Sequence, residues 1–92
     1  MADNEMLATI IGEKSKAVAR IALNGYNIRS GGPLGSAGAM RSFRVLKGGP
    51  TLWEYWQVQR NFTVTAEDGQ TREARVAAYP AEEDGFGFIE FL

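Results

Sequence analysis

Neither cysteine nor histidine occurs in this 92-residue chain. Without cysteine there is no disulfide scaffold and no thiol nucleophile. Without histidine the commonest general base is missing, and with both absent so are the ligand sets of nearly all zinc and transition-metal sites. No apolar run approaches the roughly 20 residues that a membrane helix needs. The opening residues, Met-Ala-Asp-Asn-Glu-Met, carry acids and lack the basic-then-apolar order of a secretory leader, so a cytoplasmic location is expected. The net charge of −1 suits neither a strongly basic nucleic-acid binder nor an acidic mimic of nucleic acid. The acids fall at solvated positions: Glu13, then Glu67 and Asp68, then Glu82, Glu83 and Asp84. Their spacing is not that of a calcium loop, and paired-carboxylate catalysis is not expected. The chain therefore reads as a protein with no enzymatic activity, no cofactor and no metal.

Hydrophobic residues make up 45% of the chain, an ordinary globular share. One domain over residues 1–92 is expected, burying roughly 60–70% of its unfolded surface. Charge is uneven: residues 1–50 sum to +4 and residues 51–92 to −5.

Residues from about Asn4 to Asn24 place Leu7, Ile10, Ile11, Ala17, Val18, Ile21 and Ala22 at helical spacing, with Asp3 or Asn4 as cap and Gly25 as stop. The glycine-rich loop 31–38 follows, ringed by Arg29, Arg41, Arg44 and Lys47, a basic rim able to grip a phosphate. Arg41–Lys47 reads as a short strand with Phe43 and Val45 on one face. From Leu52 to Tyr79 the pattern is a long β-hairpin. Leu52, Trp56, Val58, Phe62 and Val64 alternate with polar residues such as Gln57, Gln59, Thr63 and Thr65. A two-residue Asp68-Gly69 turn would mix the two faces. A three-residue loop, Glu67-Asp68-Gly69, sets Phe62 opposite Ala74 and Thr63 opposite Glu73, and the faces then agree. The fold class that results is α+β: one N-terminal helix packed on a four-stranded, mainly antiparallel sheet.

The last strand, Gly85–Leu92, is apolar on both faces, which suits a central strand. Asp84-Gly85-Phe86-Gly87-Phe88-Ile89-Glu90-Phe91 resembles the ribonucleoprotein octapeptide of RNA-recognition motifs, and the similar stretch of cold-shock domains. The first position is Asp84, where those families carry a cation. The resemblance implies single-stranded nucleic-acid binding, with Phe86, Phe88 and Phe91 stacking on bases.

On the hairpin, Trp53 and Tyr55 fall on the outward face, and Tyr79 lies on the same side of the partner strand. With Arg41 and Arg44 as charged neighbours they form a candidate contact patch. The expected function is a non-enzymatic module that binds a larger protein or complex, as an inhibitor or adaptor. Phage-encoded blockers of bacterial defence, such as anti-CRISPR proteins, are one class of that size and composition. Nucleic acid is the alternative partner. A homodimer or larger homo-oligomer, paired through the apolar strands, is a third.

Overall fold

The computed structural model describes residues 5–24 and 34–92. Six strands carry the fold: β1 (Glu5–Ile11), β2 (Ala17–Asn24), β3 (Met40–Lys47), β4 (Phe62–Ala66), β5 (Thr71–Ala78) and β6 (Gly87–Phe91). They close into an antiparallel barrel in the order β1-β2-β3-β6-β5-β4. Among the described residues a single α-helix, α1 (Gly49–Gln57), joins β3 to β4. The expected N-terminal helix on a four-stranded sheet is therefore overturned.

Residues 5–24 form a hairpin because two periods of two lie inside them. Met6, Ala8 and Ile10 of β1 and Ala19, Ile21 and Leu23 of β2 are buried, while Thr9 and Arg20 lie opposite each other on the outer face. Thr9, Ile10 and Ile11 are β-branched in succession, a composition that loses rotamer freedom in a helix. Between the strands, Glu13–Lys16 makes a tight hairpin turn whose two central residues, Lys14 and Ser15, are both left-handed at φ 58°. The expected caps at Asp3 or Asn4 and the stop at Gly25 lie outside the described residues.

The second half holds its expected register. Phe62 pairs with Ala74 and Thr63 with Glu73. Gly69 takes φ 95°, and its amide donates to Ala66 O at 2.9 Å, closing the three-residue loop. Phe62, Val64, Ala74 and Val76 face the barrel interior. What fails is the first part of the hairpin: residues 52–57 belong to α1, and β4 begins only at Phe62.

Two three-stranded meanders, β1–β2–β3 and β4–β5–β6, are joined through β1 with β4 and β3 with β6. Exchanging the two meanders leaves this pairing pattern unchanged. Every strand is hydrogen-bonded on both sides, so the closed barrel presents no edge. β6 lies between β3 and β5, as every strand of the barrel lies between two others, but its outer face is open, with Phe88 46% exposed, so the expected cover on both faces is not found. Phe43, Phe91, Ile89 and Leu23 fill the interior, and full burial of one such side chain stabilises by about 1.5–3 kcal/mol. Leu52 and Tyr55 of α1 complete the core at one end, and Leu34 joins it from the segment before β3.

Candidate functional site

Helix α1 starts where the chain cannot continue as a strand. Gly48 is left-handed at φ 80°, and Pro50 occupies the first turn, where its missing N–H costs nothing. Leu52 and Tyr55 fall three apart on the inner face and are buried. The helix ends in a Schellman motif. Arg60 N–H donates to Tyr55 O at 2.9 Å, and Gln59 N–H donates to Trp56 O at 3.1 Å. Gln59 stands at φ 55° where glycine is usual. Its side-chain amide donates to Trp56 O as well, at 3.0 Å.

The inner face is tied to the β1–β2 turn through Tyr55. Its hydroxyl accepts from the Glu13 N–H at 3.0 Å. The Arg60 guanidinium lies 5.4 Å from the Tyr55 ring centre and 3.0 Å from the Glu13 carboxylate. Gly12 leaves room for the ring, since a Cβ there would run into the Tyr55 hydroxyl.

On its outer side α1 borders two recesses, and Trp53 lines both. The larger, about 820 Å³, lies between α1, the end of β3 and the connector after β5. Its floor is aromatic: Trp56 stacks on Tyr79 with centroids 5.8 Å apart and planes at 23°. Tyr79 is held in place by donating its hydroxyl to Gly49 O at 2.9 Å, and burial pushes its pKa up. Pro50 and Pro80 add apolar wall, Glu82 and Glu83 an acidic rim, and Lys47 a single cation. The second recess, about 610 Å³, runs from Trp53 to the β1–β2 turn, past Lys14, Lys16 and Val58. Trp53 is 46% exposed and Val58 70%. A recess of the larger one's size and apolar character matches ordinary ligand-binding clefts.

The residues singled out from sequence are dispersed by the barrel. Trp53 and Tyr79 do line the same recess, the larger one. Tyr55, expected outward beside Trp53, is buried in the core, because i and i+2 on a helix do not share a face. Arg44 lies on the outer wall, its guanidinium on Glu5 at 2.7 and 3.2 Å. That hydrogen bond lowers the Glu5 pKa and raises that of Arg44. Arg41 is cross-strand to the buried Ile89 and so takes an inward position, toward the end away from α1. Lys47 borders the α1 recess, so the supposed basic rim does not converge; Arg29 lies outside the described residues. Phe86 and Phe88 are 57% and 46% exposed, whereas Phe91 is fully buried. A base cannot stack on Phe91 in this structure. Sequence reasoning placed Trp56 in a sheet core and missed it. The signal was Gly-Gly-Pro followed by Leu52, Tyr55 and Trp56 at i, i+3 and i+4.

Among the described residues no cluster of three or more His, Cys, Asp or Glu could hold a metal ion. No described helix is long and apolar enough to cross a membrane. Comparison with known proteins finds no matching family model, no matching curated protein and no matching solved structure.

Proposed function

We propose that this chain is a non-enzymatic, cytoplasmic binding module that grips an extended segment of a larger protein in the recess beside α1. The observation that carries this reading is Trp53. It stands half-exposed at the mouth of a cleft floored by the Trp56–Tyr79 stack. Binding energy at protein interfaces concentrates in such aromatic anchors. Aromatic and proline walls suit an extended peptide with an apolar or proline side chain. Glu82 and Glu83 at the rim favour a lysine or arginine beside it. Such a grip would let the module block or bridge its target.

A second reading uses the outer wall, where Phe86 and Phe88 are exposed. Single-stranded nucleic acid could stack there. Among the described residues closure of the barrel leaves no free strand edge, so a second copy of the chain would not pair through one.

The test is capture from bacterial lysate, with and without nuclease treatment, by wild type, Trp53→Ala and Phe88→Leu, at low and high salt. A protein partner retained by Phe88→Leu, lost by Trp53→Ala and little affected by salt supports the recess. Truncating the anchor should weaken binding by about 2 kcal/mol. Equal capture by Trp53→Ala, or nucleic acid retained in a steeply salt-dependent way, overturns it.

A further inference from the structure

Trp53 belongs to two recesses at once. It lines the larger one with Trp56 and Tyr79, and the second one with Val58. Its ring is therefore shared wall, and an apolar strip runs from the Trp56–Tyr79 stack across Trp53 to the exposed Val58.

The two recesses carry opposite charge. The larger is lined by two acids, Glu82 and Glu83, against the single cation Lys47. The second is lined by three cations, Lys14, Lys16 and Arg60, against two acids, Glu13 and Glu54. Arg60 and Glu13 pair with each other at 3.0 Å and cancel, which leaves the two lysines against Glu54. Lys14, Lys16, Glu82 and Glu83 are all exposed, and none of them forms an ion pair among the described residues.

Both charged segments are tied to α1 through a tyrosine hydroxyl. On one side Tyr55 accepts from the Glu13 N–H, which anchors the turn that carries Lys14 and Lys16. On the other side Tyr79 donates to Gly49 O, just ahead of Glu82 and Glu83 in the chain. The Gly85 N–H then donates to Glu82 O at 2.9 Å and closes a turn around the acids. Segments already held in place leave less to order when a ligand binds.

We propose that the two recesses form one continuous groove for an extended peptide segment of bipolar charge. A lysine or arginine of the segment lies beside Glu82 and Glu83, an apolar or proline side chain lies against Trp53, and an aspartate or glutamate lies beside Lys14 and Lys16. This rests on the reading of the α1 recess as a protein-binding cleft, and adds to it the second recess, the acidic residue and the spacing. A helix with its side chains is about 10 Å across, and an extended chain advances about 3.3 Å per residue. Crossing α1 takes about three residues, so the two charges of the segment stand about three to five residues apart. Charges matched at both ends fix the register and reject segments that carry one sign only.

The test is selection from a random peptide library displayed on phage, against the full chain as wild type, Trp53→Ala, Lys14→Glu with Lys16→Glu, and Glu82→Lys with Glu83→Lys. Circular dichroism checks the fold of each variant, and all five substituted side chains are exposed. Wild type should enrich peptides with a basic and an acidic residue flanking an apolar or proline residue at that spacing, and Trp53→Ala should enrich none of them. The most enriched peptide, titrated by fluorescence anisotropy, should bind each double charge variant about fivefold or more weakly, and Arg75→Gln on the outer wall as tightly as wild type. Trp53-dependent peptides without this charge pattern, or unchanged affinity in either double charge variant, overturn the bipolar groove and leave the α1 recess standing as a protein-binding cleft. Absence of any Trp53-dependent peptide overturns both.

Discussion

Two glycines at positive φ separate backbone strain from steric collision. Gly48 has φ 80° and ψ 23°, and Gly69 has φ 95°. An L-residue in the left-handed region costs about 1–2 kcal/mol. At Gly69 that is the whole expected effect, since a Cβ there has nothing within 4 Å. At Gly48 a Cβ would run into Val18 O and lie 2.8 Å from Ala19 Cα. Those atoms belong to β2, which is locked between β1 and β3, so β2 or the start of α1 must move. Overpacking of that kind adds about 1–3 kcal/mol. Gly69→Ala should therefore destabilise by about 1–2 kcal/mol and Gly48→Ala by about 2–5 kcal/mol. A domain of this size has roughly 5–15 kcal/mol in all. Each kcal/mol lowers Tm by about 4–8 °C. Urea unfolding followed by tryptophan fluorescence and far-ultraviolet circular dichroism measures both variants. Equal losses, or a Gly48→Ala variant within about 0.5 kcal/mol of wild type, would show that the close approach of α1 to β2 is wrong.

Two further perturbations follow from local geometry. Lys14 and Ser15 both sit at φ 58°, with Lys16 N–H donating to Glu13 O at 3.1 Å, the form of hairpin turn that favours Asn-Gly. Lys14→Asn with Ser15→Gly should raise stability by about 1–2 kcal/mol, and Gln59→Gly by about 0.5–1 kcal/mol, read as higher urea midpoints; a lower midpoint refutes the assigned turn. Glu5 behaves differently: its hydrogen bond with Arg44 depresses its folded-state pKa. The stabilisation is present above the unfolded value of about 4.3 and is lost as pH falls through the lower folded value. Arg44 is 40% exposed, so the effect stays within about 1 kcal/mol. Wild type should lose more stability than Glu5→Gln between pH 6 and pH 3, and parallel curves would refute the pairing.

The parts of the fold that were legible are those where one local rule stood alone. The register of β4 with β5 follows from matching faces across a turn, and no rival pattern competes with it. β6 was legible as a strand but not as one covered on both sides: Ile89 and Phe91 are buried, while Phe88 and Leu92 on its other face are 46% and 40% exposed. Residues 5–24 failed because they satisfy two periods at once. Leu7, Ile10, Ile11, Val18 and Ile21 fit a helix, while Met6, Ala8, Ile10, Ala19, Ile21 and Leu23 fit two strands. Gly12 and the β-branched Thr9-Ile10-Ile11 favoured strands. The helical spacing of the longer apolar set outranked these local signals, and they were the deciding ones.

The candidate site was hidden by the same ambiguity in reverse. Trp53, Tyr55 and Trp56 are residue types enriched in strands, and alternation with Glu54 and Gln57 made a strand attractive. That assignment required Glu54 and Arg60 on the buried face, two charges with no partner in a sheet core. In α1 the contradiction disappears: Glu54 is exposed, and Arg60 lies beyond the last turn against Tyr55 and Glu13. A nine-residue helix is too short to be stable by propensity, and aromatic residues make it weaker. It persists because Leu52 and Tyr55 close the barrel end, and that same insertion turns Trp53 outward. The exposed tryptophan is thus a geometric consequence of burying its neighbours at one residue before and two residues after it. Only the tertiary packing decides between this outcome and a strand, and a single sequence carries that packing implicitly.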